Sequence, residues 1–254
     1  MKISATIITL NEQNNIARCI ESLQDVVDEI VVVDSYSTDK TEEICSKYDV
    51  KFIKQKFLGY TAQKNFAAKQ TINDYVLNID ADEYLSQELK KSIKEIKQTA
   101  TPKVGYKLKR LNNFWGNWVK TCGLYPDKQL RLYNKKSGEF HGDYVHEKVV
   151  FNDASQPIGI LKGDLLHFSF SSKQKFKEQL DKYANLKARE YIAKGKHISP
   201  ITAILKALWR FVKDYIFLLG FTQGGLGFFI CSSYAKYEYK KCRHNIFSQN
   251  AKQS

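Results

Sequence analysis

Residues 29–34 read EIVVVD, four β-branched residues in a row closed by an aspartate. A strand with one wet face alternates apolar and polar residues; an unbroken run needs apolar cover on both faces, as in a parallel sheet between helices. The flanking sequence supplies that cover. SATIITL (4–10) is β-rich, and Ile16, Cys19, Ile20 and Leu23 then recur at the spacing of a helix with one buried face. STDKTEEICSKY (37–48) opens with capping residues and acids and predicts a helix; VKFIKQ (50–55) predicts a third strand. A helix around 62–70, a strand over DYVLNID (74–80) and a charged helix over 86–98, capped by Ser86, complete the pattern. Strand alternating with helix four times predicts an α/β fold, a mostly parallel sheet flanked by helices with right-handed crossovers.

In open α/β sheets ligands bind beyond the carboxyl ends of the strands. Three predicted strands end in polar residues: Thr9 and Asn11, Asp34 and Ser35, and Asp80 and Asp82 of YVLNIDADE. The acids of DADE need either water or a cation opposite them. No GxGxxG follows the first strand and no GxxxxGK[ST] occurs, so neither glycine-based phosphate cradle is available. A diphosphate at this rim therefore needs a metal, and the oxygens of Asp80 and Asp82 suit Mg²⁺ or Mn²⁺.

The second half reads differently. Residues 1–100 hold 13 Lys/Arg and 16 Asp/Glu, whereas the remainder holds 27 and 11, a net of +16 that predicts an anionic partner. KVGYKLKRLNNFWGNWVKTCG, LRLYN, YVHEKVVF and IGILKGDLLHFSF predict extended segments, and 172–194 a helix. From Ile201, apolar residues line one helical face, with Lys206, Arg210 and Lys213 on the other; residues 215–235 then carry no charge. TQGG in the middle of that stretch argues against a span, and the expectation is an amphipathic helix and apolar hairpin in the membrane interface, with basic flanks on acidic lipid. Packing against the rest of the chain or a second subunit is the competing reading. The expected organisation is 1–100, 101–171 and a helical membrane-associating extension over 172–254. Five scattered cysteines without a CxxC pair, and a start that lacks a signal-peptide pattern, fit a cytoplasmic protein.

ATIITLNEQNN, EIVVVDSYSTDKT and YVLNIDADE, in this order, resemble glycosyltransferase family 2 on a GT-A fold. The resemblance implies a nucleotide-sugar donor, a divalent metal at the DADE motif and inversion at the anomeric carbon. By position it places Thr9, Asn11 and Glu12 in the nucleoside pocket, Asp34 at the base or ribose, and Asp80 and Asp82 at ribose, metal and diphosphate. YPDKQLRLYN, GDYVHEKV and LLHFSF resemble the bacterial lipopolysaccharide-core members, among them those similar to β-1,4-glucosyltransferases acting on inner-core heptose. That likeness implies UDP-glucose as donor and a phosphorylated glycolipid acceptor, with the protein peripheral on the cytoplasmic membrane and no nucleic-acid partner. An inverting transfer needs a base for the acceptor hydroxyl; Glu147 is the first candidate and Asp127 the second. His146 or His167 are candidates to complete the metal shell, and Arg131 to pair with a phosphate. His167 also reads as a hydrogen-bonded core histidine, Glu147 as a salt-bridge partner, and Trp115 and Trp118 as packing rather than sugar-stacking residues. Two other classes compete. A nucleotidyltransferase wants a basic, glycine-rich first loop where this chain has NEQNN, and a nucleic-acid-binding protein is prompted by charge alone.

Overall fold

A computed structural model describes residues 1–142, 147–170, 172–196 and 198–253. The strands and helices run β1 Ile3–Thr9, α1 Ile16–Leu23, β2 Glu29–Asp34, α2 Thr41–Cys45, β3 Lys51–Lys54, α3 Tyr60–Lys69, β4 Tyr75–Asp80, β5 Glu83–Leu85 and α4 Gln87–Lys97. There follow β6 Gly105–Phe114, β7 Asn117–Val119, β8 Asp127–Asn134, β9 Gly138–His141, β10 Lys148–Phe151 and β11 Ile158–Phe170. The helices α5 Lys173–Ala193, α6 Pro200–Val212 and α7 Gly224–Gln253 close the chain. Two compact units result, 1–111 with 127–168, and 112–126 with 169–254.

In the first unit the sheet order is β3-β2-β1-β4-β8-β6-β11-β5. β1 pairs parallel with β2 and β4, and β2 with β3, whereas β8 runs antiparallel to β4 and β6. The β-branched run of β2 is covered on both faces, as its composition requires. Val32 joins Ile3, Ala5, Ile7, Leu77 and Ile79 in a core with Ile16, Ile20 and Leu23 of α1 and Leu89 and Ile93 of α4. Val31 and Val33 point the other way, into a cluster with Ala67 and Phe66 of α3, because successive strand side chains alternate faces.

One local expectation changes. The helix predicted over 37–48 shortens to α2, because polar side chains hold the preceding backbone in a loop. Asp34 accepts from the Ser37 amide (2.8 Å), Asn11 Oδ1 from the Thr38 amide (2.8 Å) and Asp39 from the Thr41 amide (3.0 Å), bonds that compete with a helical turn. Directly after DAD the chain adds a short strand that the sequence did not announce, β5, pairing antiparallel with β11 so that Glu83 lies opposite His167. Ser86 caps α4 as expected, accepting from the Leu89 amide (3.3 Å), and it also accepts from the Asp164 amide (2.9 Å).

In the second unit, Phe114, Val119 and Cys122 pack with Phe176 and Leu180 of α5 and Ile230 and Cys231 of α7. All five cysteines are free and buried. α6 runs into a π-helical turn over Lys213–Phe217, after which Leu219 adopts a left-handed conformation (φ 55°) and the chain bends by 72° into the segment leading to α7. Among the described residues no single helix is long and apolar enough to cross a membrane.

A candidate active site at the carboxyl ends of the parallel strands

The parallel register puts the three polar strand ends side by side: Thr9 lies opposite Asp34 and Ile8 opposite Asp80. The Thr9 hydroxyl is buried with no hydrogen-bond partner among the described residues. Asn11 turns the chain with a left-handed backbone (φ 56°), and its amide donates to Ser37 Oγ (2.8 Å). Asp34 is buried beneath this loop. The Ser35 amide donates to the Thr9 carbonyl (2.9 Å), and its hydroxyl accepts from Gln63 Nε2 (3.3 Å). Glu12 accepts from Asn15 Nδ2 (2.8 Å); burial and the charges of Asp82, Asp39 and Asp80 hold its carboxyl above the usual range.

The acids of DADE meet cations. Asp80 Oδ2 lies 2.7 Å from Arg131 Nη2 and Oδ1 3.3 Å from Lys64 Nζ. Burial alone raises a carboxyl pKa, yet Arg131 and Lys64 outweigh it and hold Asp80 far below the ordinary range. Arg131 also reaches Glu83 Oε1 (2.8 Å) and Asn78 Oδ1 (3.2 Å), while Glu83 Oε2 accepts the Asp80 amide (3.0 Å). Asp82 stands apart from this network, its Oδ2 3.1 Å from His167 Nε2. Burial works against a charged imidazole there, but the Asp82 hydrogen bond and the charges of Asp82 and Glu83 carry the His167 pKa upward.

Glu147 is 2.9 Å from Lys64 Nζ, so one ammonium bridges it to Asp80. Asp127 is held by Arg110 Nη2 (2.7 Å) and Nε (2.9 Å). Lys64, Asp80, Arg110, Arg131, Phe140 and Glu147 line one cavity of about 350 Å³. His146 lies outside the described residues. Trp115 packs edge-on against Phe114, Phe176 and Phe229 in the second unit. Arg131 is engaged by carboxylates rather than left open for a phosphate.

Lys64 and Arg110 were not singled out in the sequence, and Glu83 was read only as one of the acids of DADE, without its partner. Lys64 did leave a signal: it shares a face of α3 with Ala67 and Ala68, three and four residues on, so a lysine sits on a buried helical stripe. Arg110 left none, because it acquires Asp127 as its partner only through the pairing of β6 with β8.

A sheet that is parallel where its acidic tips gather and antiparallel beyond, flanked by helices, is of the GT-A type. The Glycosyl transferase family 2 pattern matches residues 4–156, and the chain belongs to that family. An uncharacterized glycosyltransferase of Rickettsia typhi is 36% identical over 235 residues, covering 89% of this chain and 80% of its own. The lipopolysaccharide core biosynthesis glycosyltransferase LpsC of Rhizobium meliloti is 32% identical over 239 residues, covering 91% and 86%. Among solved structures, S. aureus TarS 1–349 in complex with UDP aligns with 99% of this chain and 92% of its own, at 18% identity and a TM-score of 0.44. Glucosyl-3-phosphoglycerate synthase from Mycobacterium tuberculosis, in complex with Mn²⁺, UDP and phosphoglyceric acid, aligns with 33% of this chain and 34% of its own, at 27% identity and a TM-score of 0.31.

Proposed function

We propose that this family 2 member is an inverting, metal-dependent transferase. It moves a hexose from a nucleotide sugar, glucose from UDP-glucose, onto a phosphorylated glycolipid of the lipopolysaccharide inner core. The observation that carries the reading is the Asp82–His167 pair standing beside a cation-held Asp80, at the rim shared with Thr9 and Asp34. The 32% identity to a lipopolysaccharide-core transferase supports the acceptor class.

Among the described residues no three His, Cys, Asp or Glu side chains converge on one point. A carboxylate oxygen and an imidazole nitrogen 3.1 Å apart nonetheless fit a dication that takes its remaining oxygens from diphosphate and water. Asp82 and His167 would hold it, and its contribution when bound is to offset charge on the departing diphosphate. The protein's own residues do the rest. Asp80, with both oxygens already facing cations, is preset as an acceptor for the ribose hydroxyls. Thr9, Asn11, Glu12, Asp34 and Ser35 border the nucleoside. Glu147, in the cavity beside Asp80, takes the proton of the acceptor hydroxyl, with Asp127 as the alternative base. Charge develops on the sugar in an oxocarbenium-like transition state. A lipid-borne acceptor puts the reaction at the cytoplasmic face of the membrane.

Calorimetric titration of UDP with and without Mn²⁺ tests the site. Mn²⁺-dependent binding that weakens at least about tenfold in Asp82→Asn is expected; binding indifferent to both the metal and the substitution rejects it. Mass analysis of glycolipid made with and without an active copy tests donor and acceptor together.

A further inference from the structure

The α6 helix is turned inside out relative to the rule for a water-soluble domain. Ile201, Ile204, Leu205 and Leu208, at i, i+3, i+4 and i+7, form the large apolar stripe such a helix normally buries. Here all four are exposed, Ile201 by 71% and Leu205 by 60%. The side that packs is carried by other residues: Ala203 and Asp214 are buried, Arg210 is ion-paired with Asp214, and Phe211 and Tyr215 are half-buried against the core of the unit. Trp209 of α6, Ile216 and Phe217 (65% exposed) of the π-helical turn, and Leu219, Phe221 and Phe228 beyond it are exposed as well. The same segments carry Lys206 on α6, Lys213 in the π-helical turn and Lys236 on α7, all exposed and with no ion-pair partner among the described residues.

Charge identifies the occupant. The unit formed by 112–126 and 169–254 carries seventeen Lys/Arg and five Asp/Glu, a net of +12 out of the chain's +13. Two copies meeting through this face bring like charges together, which disfavours self-association. A polynucleotide satisfies the lysines but offers no apolar phase for Ile201, Leu208 or Phe217. An anionic bilayer interface provides both: acyl chains for the stripe and head groups for the ring of ammonium groups. We infer that the exposed face of α6 and the turn after it is a docking surface for an anionic lipid bilayer, entered by Ile201, Leu205, Leu208, Trp209 and Phe217 and bordered by Lys206, Lys213 and Lys236. This inference stands independently of the transferase reading, and its failure leaves UDP binding at the strand tips unaffected.

The test is co-sedimentation of the full chain with vesicles of phosphatidylcholine, with and without phosphatidylglycerol. Binding to the anionic vesicles is expected, falling at least about tenfold in Leu208→Glu/Phe217→Glu. The triple variant Lys206→Gln/Lys213→Gln/Lys236→Gln is expected to lose the preference for phosphatidylglycerol and most of the salt dependence. Tryptophan emission of the wild-type chain is expected to shift to the blue on vesicle addition, and the shift to vanish in Trp209→Phe, a change too mild to unfold the unit. Three results overturn the inference: no binding to anionic vesicles with no emission shift; duplex DNA bound while vesicles are ignored; or a dimer that Leu208→Glu/Phe217→Glu converts to monomer with vesicle affinity unchanged.

Discussion

Arg131 Nη2 lies 2.7 Å from Asp80 Oδ2, the guanidinium reaching from β8 across its antiparallel neighbour β4 to the strand's last residue. The same nitrogen is 2.8 Å from Glu83, whose side chain is fully buried. One guanidinium thus bridges two carboxylates that would otherwise repel each other at close range, with Lys64 as second cation to Asp80 (3.3 Å) and Arg110 to Glu83 (3.6 Å).

Removing that cation leaves Glu83 buried beside another acid. Arg131→Met is expected to cost about 3–5 kcal/mol in urea unfolding, the range for breaking one side of a buried pair. Arg131→Lys is expected to recover only part of this, since an ammonium lacks the fork that spans both acids and Asn78. A midpoint for Arg131→Met indistinguishable from wild type contradicts the assignment.

The Asp80 carboxyl gives a pH prediction. Its folded pKa is depressed, so its contribution to stability is complete above the unfolded value of about 3.9 and is lost only as pH falls through the lower folded value. Carboxyl-carbon NMR is expected to show Asp80 ionised at pH 4 in the wild type. In Lys64→Met its midpoint is expected to move upward, because one of its two cations is gone. An unchanged midpoint means that Arg131 alone sets it.

Glu147→Gln is expected to lower kcat by roughly 10²–10⁴-fold with little change in KM for the donor, the split expected of a base that acts on the acceptor. Asp127→Asn, which perturbs an ion pair with Arg110, is expected to cost much less. Steady-state kinetics with varied donor decide it, and the reverse ranking transfers the role to Asp127.

Gly163 approaches the first turn of α4 so closely that an added Cβ would lie 2.2 Å from the Leu89 nitrogen, and its φ is +83°. Gly163→Ala is expected to cost at least about 2 kcal/mol in chemical denaturation, from backbone overlap and a left-handed conformation together. A loss below about 0.5 kcal/mol, the scale of an ordinary surface substitution, counts against this packing.

Local pattern carries the parallel half of the fold. The unbroken EIVVVD announces a strand covered on both faces, and the spacing of Ile16, Cys19, Ile20 and Leu23 announces the helix that covers one of them. Alternation of strands and helices then aligns Thr9, Asp34 and Asp80 on one rim, because parallel strands end together. The loop before α2 escaped the same reading, since Ser37 and Thr38 resemble helix caps until Asn11, 26 and 27 residues earlier, claims them.

Sequence alone therefore determined the α/β alternation, the rim and the acids standing on it, because these follow from periods of two and 3.6 residues and from strand polarity. Only the tertiary structure decided what faces those acids. Lys64, Asp80, Arg131 and Glu147 come from a helix, two strands and a loop, and Coulomb's law acts on distances in space, not along the chain. The outward turn of the α6 stripe belongs to the same class: an amphipathic pattern states that a helix has two faces, and packing decides which of them meets the solvent.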